Sequence, residues 1–181
     1  PVIIVFAVIS ILYGALLALG QRDLMRLIAY TSVSHFGFIV LGIFTFTQLG
    51  TAGASFYMLN HGLATGGLFL IAGFLFLRSK SGSSQLIDDF GGLQKVTPVL
   101  AGVFLTLGLA TLSMPGLSPF VSEIMVLIAT FGVNHWAAIF AAIAIAINRT
   151  PLGVALRGFG NSPQAMRLSG WSPVRYAIIR Y

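Results

Sequence analysis

Only four of the 181 residues are acidic, and three of them, Asp23, Asp88 and Asp89, fall in short polar links. The fourth, Glu123, stands inside an uncharged apolar stretch. A carboxyl at membrane depth is costly, charged or neutral, unless it is paired or hydrated. Such a group is a candidate to bind and release protons, or else to cap the start of a helix, where negative charge is favoured. His35 and His61 are the other titratable groups within apolar stretches. Histidine changes charge in the physiological range and passes protons on through its two ring nitrogens. A lone histidine on an apolar face also occurs simply as a satisfied core residue. Two of them beside a membrane glutamate and a broken helix favour a proton relay. No metal site is expected: His-Glu-x-x-His is absent, and His135 reads as a helix-end residue. Hydroxyl and amide groups cluster around these positions: Thr31, Ser32 and Ser34 before His35, Asn60 and Thr65 about His61, and Ser118 and Ser122 near Glu123. They could hold waters or bind helix to helix. Gly62, Gly66 and Gly67 fit the second use.

Composition dictates what carries these groups. The chain is 57% hydrophobic and 8% charged, with a mean hydropathy of +0.95, whereas soluble domains carry about 25% charged residues. A polytopic all-α membrane bundle of about five helices is the expected fold class. Apolar blocks run from about residue 2 to 20, 27 to 48, 54 to 77, 96 to 132 and 136 to 148. Residues 1–135 are expected to form the transmembrane unit, 136–148 a short apolar helix and 149–181 a basic tail. The first three blocks cover roughly 28–36 Å, enough for one crossing each. Because the second and third run in opposite directions, His35 and His61 are expected to differ in depth by several ångströms.

The fourth block is too long for one span and is interrupted by Met114-Pro115-Gly116-Leu117-Ser118-Pro119-Phe120. Each proline removes a backbone donor and clashes with the preceding turn. Two half-helices joined by unwound backbone at depth is the preferred reading, tolerated where the break is buried or lines a wet cavity. The alternative is a hairpin of two short helices. Charge partition favours the broken span. With one crossing in the fourth block, all ten basic residues, from Arg22 and Arg26 through Arg78, Lys80 and Lys95 to the tail, fall on one side. The positive-inside rule makes that side cytoplasmic. The formal net charge of +6 is thus read as topology, and no nucleic-acid-binding pattern accompanies it. No Gly-x-Gly-x-x-Gly, P-loop or Gly-x-Ser-x-Gly occurs, and no cofactor is expected on the chain itself. There is no cysteine, hence no thiolate-ligated cluster.

The segments YGALLALGQRDLMRLIAYTSVSHFGFIVLGIF, FYMLNHGLATGGLFLIAGFLF and DDFGGLQKVTPVLAGVFLTLGLATLSMPGLSPFVSEIMVL strongly resemble the antiporter-like subunit M family of bacterial NADH:quinone oxidoreductase, respiratory complex I. The likeness runs from about residue 1 to 132. It implies one of two inverted five-helix repeats of a larger proton-translocating subunit, and the chain reads as a piece of something longer. It implies that Glu123 is the carboxylate of the broken helix and that His35 and His61 are intramembrane relay histidines. Sibling L-type and Mrp antiporter subunits usually carry Gln at the His35 position and Lys at the Thr65 position, so the choices here are of the M type. The implied partners are L- and N-like membrane-arm neighbours, the lipid bilayer and protons, with no nucleic acid. The implied location is the bacterial inner membrane, and the implied enzyme is the oxidoreductase as a whole, of which the chain is a subunit. The tail, NRTPLGVALRGFGNSPQAMRLSGWSPVRYAIIRY, resembles a cytoplasmic loop of ABC-transporter permeases. A permease-like component, or a membrane fragment without transport, is therefore the alternative.

Overall fold

The computed structural model describes residues 2–78, 85–90 and 93–149. The basic tail from residue 150 onward, and with it the permease-like likeness, lies outside the described residues. Among the described residues seven α-helices follow in order: α1 Val2–Leu19, α2 Leu24–Ile43, α3 Gln48–Arg78, α4 Leu93–Val96, α5 Pro98–Thr111, α6 Ser118–Val133 and α7 His135–Arg149, with a 3-10 turn at Ile87–Asp89. No strand occurs among the described residues. Three helices, α1 to α3, are long and apolar enough to cross a membrane. Surfaces without protein cover are apolar, as at Phe6 and Leu16 on α1 and Leu63 and Leu70 on α3.

The second and third helices both begin earlier than the apolar blocks indicate, and the second also ends earlier. Asp23 caps α2, its carboxylate accepting from the Arg26 backbone N–H at 2.9 Å, so the helix starts before the charge at Arg26 rather than after it. It stops at Ile43 because the next four residues form a hydroxyl-built turn. Thr45 Oγ1 donates to the Gly42 carbonyl at 2.7 Å, Phe46 takes a left-handed φ of 53°, and Thr47 Oγ1 accepts from the Gly50 N–H at 3.0 Å. The expected link at residues 49–53 is therefore the first turn and a half of α3.

Gly50 and Gly53 are positions of close approach. A Cβ on Gly53 would lie 2.9 Å from Met125 Cβ and 3.2 Å from the Val126 backbone nitrogen. On α2, a Cβ at Gly42 would lie 2.8 Å from Val126 Cγ2. Three helices thus meet at backbone range around Val126, which is fully buried. Gly62 and Gly66 face open space, and only Gly67 of that expected packing group meets a neighbour, Leu107 at 2.7 Å. Helix–helix contact on α3 uses the other face.

The fourth apolar block is a broken span. Moving back along α3, its partners advance along the chain. Phe74 and Ile71 share a groove with Val99 and Val103, Gly67 faces Leu107, Asn60 reaches Ser122, Tyr57 reaches Glu123, and Gly53 faces Met125. One helix, interrupted halfway, runs antiparallel to α3 over its whole length. A hairpin would reverse that order in its second half. The interruption is stapled by backbone bonds. Ser113 N–H donates to the Ala110 carbonyl at 2.8 Å and Met114 N–H to the Leu109 carbonyl at 3.2 Å, the paired bonds of a Schellman ending. Ser113 holds its left-handed position at φ 49°, and Gly116 follows at φ 98°.

The two basic links sit together at one end. Asp23 and Leu86 form an antiparallel bridge, with Leu24 N–H donating to the Gln85 carbonyl and Ile87 N–H to the Arg22 carbonyl, both at 2.9 Å. Arg22, Arg26, Arg78 and Lys95 are exposed around that end. Asn134 alone joins α6 to α7, its Oδ1 accepting from the Ala137 N–H at 3.1 Å. From there α7 folds back beside α1 and α6, and Ala144 and Ile145 reach the depth of Glu123 and Leu112. Its fifteen residues cover about 22 Å, short of a full crossing. The fifth apolar block, read as the return of the chain to the basic side, is therefore too short to complete that return within the described residues.

Candidate functional site

Glu123 sits in the second turn of α6, 4% exposed. It does not cap the half-helix: Leu117 holds the cap position without a side-chain bond. Its Oε1 accepts a hydrogen bond from the Tyr57 hydroxyl of α3 at 3.2 Å. The same hydroxyl is in hydrogen-bond contact with His35 Nδ1 on α2. The His35 ring lies 5.2 Å from the His61 ring, centroid to centroid, and His61 Nδ1 meets Thr65 Oγ1 at 3.1 Å. All three expected site residues therefore belong to one polar run, and a tyrosine absent from the sequence reading joins two of them.

The expected depth difference between the histidines does not separate them. His35 lies eight residues before the end of α2 and His61 thirteen after the start of α3, an offset of about 7–8 Å along the helix axes. Side chains lean toward the N-terminus of their own helix. On antiparallel helices the two leans converge here: His35 points away from the connecting turn, His61 toward it. Their rings close the offset that the backbone leaves.

Tyr57 could have been anticipated. It lies four residues before His61, on the same helical face, and a phenol buried in an apolar bundle requires a polar partner. It is 1% exposed and packs edge-on against Phe38, ring centroids 6.2 Å apart.

Neighbouring hydroxyls divide between the two uses left open. Ser34 Oγ donates to the Ile11 carbonyl at 3.0 Å and joins α2 to α1. Thr31 and Ser32 both return to the Ile28 carbonyl. Asn60 Nδ2 donates to Ser122 Oγ at 3.5 Å, and Ser122 donates to the Pro119 carbonyl at 2.9 Å, so α3 steadies the turn preceding Glu123. A cavity of about 40 Å³ lies against Glu123, His35, Thr31, Ser34 and Thr111, room for about two or three waters. His135 starts α7 and meets Phe131 edge-on, ring centroids 4.4 Å apart, away from this run. Among the described residues no three His, Cys, Asp or Glu side chains gather as a metal-ligand set.

A bundle of apolar helices that buries a carboxylate, a phenol and one imidazole, with a second imidazole half-buried beside them, next to a broken helix, has the features of a polytopic membrane protein. The chain belongs to the NADH:quinone oxidoreductase/Mrp antiporter transmembrane family, which it matches over residues 1–148. It is 53% identical over 148 residues to NADH-quinone oxidoreductase subunit M of Mycobacterium tuberculosis, covering 82% of this chain and 26% of that protein. It is 41% identical to the chloroplastic NAD(P)H-quinone oxidoreductase chain 4 of Chaetosphaeridium globosum, covering 84% of this chain and 30% of that one. Among solved structures, a chain of respiratory complex I from Thermus thermophilus with bound NADH superposes with a TM-score of 0.76 at 33% identity, over 88% of this chain and 32% of that one. A chain of the Mrp complex from Dietzia sp. DQ12-45-1b gives 0.75 at 28% identity, over 88% and 29%. The chain spans about a quarter to a third of the length of these relatives. The permease-like alternative rests on the tail, which lies beyond the family match.

Proposed function

We propose that the chain forms one half-channel of a proton-translocating, M-type membrane subunit of an NADH:quinone oxidoreductase. Glu123 binds and releases the proton, and His35 and His61 relay it, while electron transfer takes place elsewhere in the enzyme. The observation that carries this reading is the buried polar run from Glu123 on α6 to His35 on α2 and His61 on α3, enclosed by the apolar core of Ile11, Phe38, Leu41 and Val126. Burial removes competing solvent, so protons exchange along the run rather than with bulk water. The small cavity beside Glu123 and His35 supports a hydrated entry to it.

The end bearing Arg22, Arg26, Arg78 and Lys95 faces the cytoplasm in this reading, following the positive-inside rule, and the membrane is the bacterial inner membrane. L- and N-like membrane-arm subunits are its neighbours, against the apolar faces left uncovered on α1 and α3.

Glu123→Gln keeps the size and hydrogen-bonding capacity of the side chain and removes its acidity. Introduced into the intact protein, it is expected to abolish NADH-driven proton uptake by inverted membrane vesicles, followed with a pH-sensitive dye, while assembly is preserved. Full uptake in the variant would remove Glu123 from the mechanism.

A further inference from the structure

The phenol of Tyr57 stands between two titratable groups, His35 and Glu123, and touches both. Its oxygen contacts His35 Nδ1, and its hydroxyl donates to Glu123 Oε1. A phenol has one hydrogen to donate and lone pairs to accept with. With its hydrogen given to Glu123, the oxygen accepts from a proton on His35 Nδ1; with Glu123 protonated, the carboxyl donates to the phenol and the phenol to Nδ1. Both orders keep the two contacts, and a proton transfer is the passage from the first to the second.

We propose that Tyr57 is itself a proton-transferring residue, carrying protons between His35 and Glu123 through its hydroxyl. The inference rests on the relay reading above and adds to it the identity of the carrier. In one transfer the Nδ1–H bond of the His35 imidazolium breaks and a new O–H bond forms on the phenol oxygen. The former phenol O–H bond breaks at the same time, and its proton forms an O–H bond on Glu123 Oε1. One positive and one negative charge collapse to two neutral groups, and the phenol is neutral before and after. Afterwards its hydrogen points to His35, and the protonated carboxyl donates to the phenol oxygen. A second proton in the same direction has to wait until the phenol C–O bond rotates and Glu123 discharges. The carrier therefore passes protons singly.

A rival route exists on the page. The cavity of about 40 Å³ touches both Glu123 and His35 but is not lined by Tyr57, and waters in it could bridge the two ends without the phenol. Tyr57→Phe separates the routes, because it keeps the buried ring and removes only the hydroxyl. In the intact protein, NADH-driven proton uptake by inverted vesicles, normalised to assembled complex, is expected to fall by about a hundredfold. Difluorotyrosine incorporated at position 57 keeps the hydroxyl and the packing but makes the phenol more acidic. It is expected to restore uptake with a displaced pH profile, which a purely structural hydroxyl would leave unmoved. It also supplies the answer should Tyr57→Phe fail to assemble. Glu123→Gln is measured alongside. Loss of uptake in Glu123→Gln with normal uptake in Tyr57→Phe overturns the Tyr57 assignment alone and hands the transfer to cavity waters. An unchanged pH profile with difluorotyrosine overturns it too. Normal uptake in Glu123→Gln overturns the relay and this inference together.

Discussion

Ser113 holds a left-handed backbone position that glycine usually fills at the end of a helix. The residue is fully buried, and its hydroxyl has no hydrogen-bond partner among the described residues. Both facts weigh against serine at this place, since a side chain in that region is strained and a buried hydroxyl without a partner is costly. Ser113→Gly is therefore expected to raise stability by about 1 kcal/mol, read as a higher midpoint of thermal unfolding in detergent. A lower midpoint would mean that the hydroxyl is engaged, for instance by water in the break. At this scale the sequence was informative wherever a residue type was rare. Glu123 could be picked out because it is the one acid in an apolar stretch. Tyr57 is one of five tyrosines; its spacing from His61 makes it a candidate, but its contact with both His35 and Glu123 depends on the registers of two other helices, which no local pattern encodes.

The crossing of α2, α3 and α6 is set by how near their backbones come, and glycine sets that distance. A methyl group at Gly53 meets Met125 Cβ at 2.9 Å and the Val126 backbone at 3.2 Å, one turn of α3 from Tyr57. Gly53→Ala is expected to destabilise the protein by about 1–3 kcal/mol through overpacking, and to weaken proton uptake by moving α6 away from the phenol. Gly66→Ala, where a Cβ meets open space, is the control. Equal losses in both variants, in unfolding midpoint and in uptake, would show that close approach at Gly53 is not what holds α6. The broken helix was readable because Pro115, Gly116 and Pro119 are strong punctuation. The turn between α2 and α3 was not, because threonine hydroxyls close it, and the nearby glycines, which look like a break, are packing positions inside α3.

Across the whole molecule, the bridge between Asp23 and Leu86 puts both described basic links at one end, as the charge pattern alone had indicated. The chain contains no cysteine, so a single introduced thiol reports its own side of the membrane. With a membrane-impermeant maleimide, Lys95→Cys is expected to label only in inverted vesicles and Gln48→Cys only in intact cells. The opposite pattern would reverse the orientation. Both positions are exposed at the helix ends. Fold class and the gathering of the two described basic links at one end were legible because they depend on sums over many residues. The path of α7 was not, because a short apolar run followed by a basic one fits several paths.

The length of α3 has a consequence for how the protein is made. At 14 and 16 residues, α5 and α6 cover only about 21 and 24 Å, and the six residues between them would leave backbone polar groups facing lipid at a cost of several kcal/mol. Neither half is a good substrate for insertion into the bilayer by itself. At 31 residues, α3 is synthesised first and offers a complete antiparallel track, with a packing partner for each half in turn. A fault on its packing face is therefore expected to lower the amount of inserted protein, read as the yield in membranes, as well as its turnover.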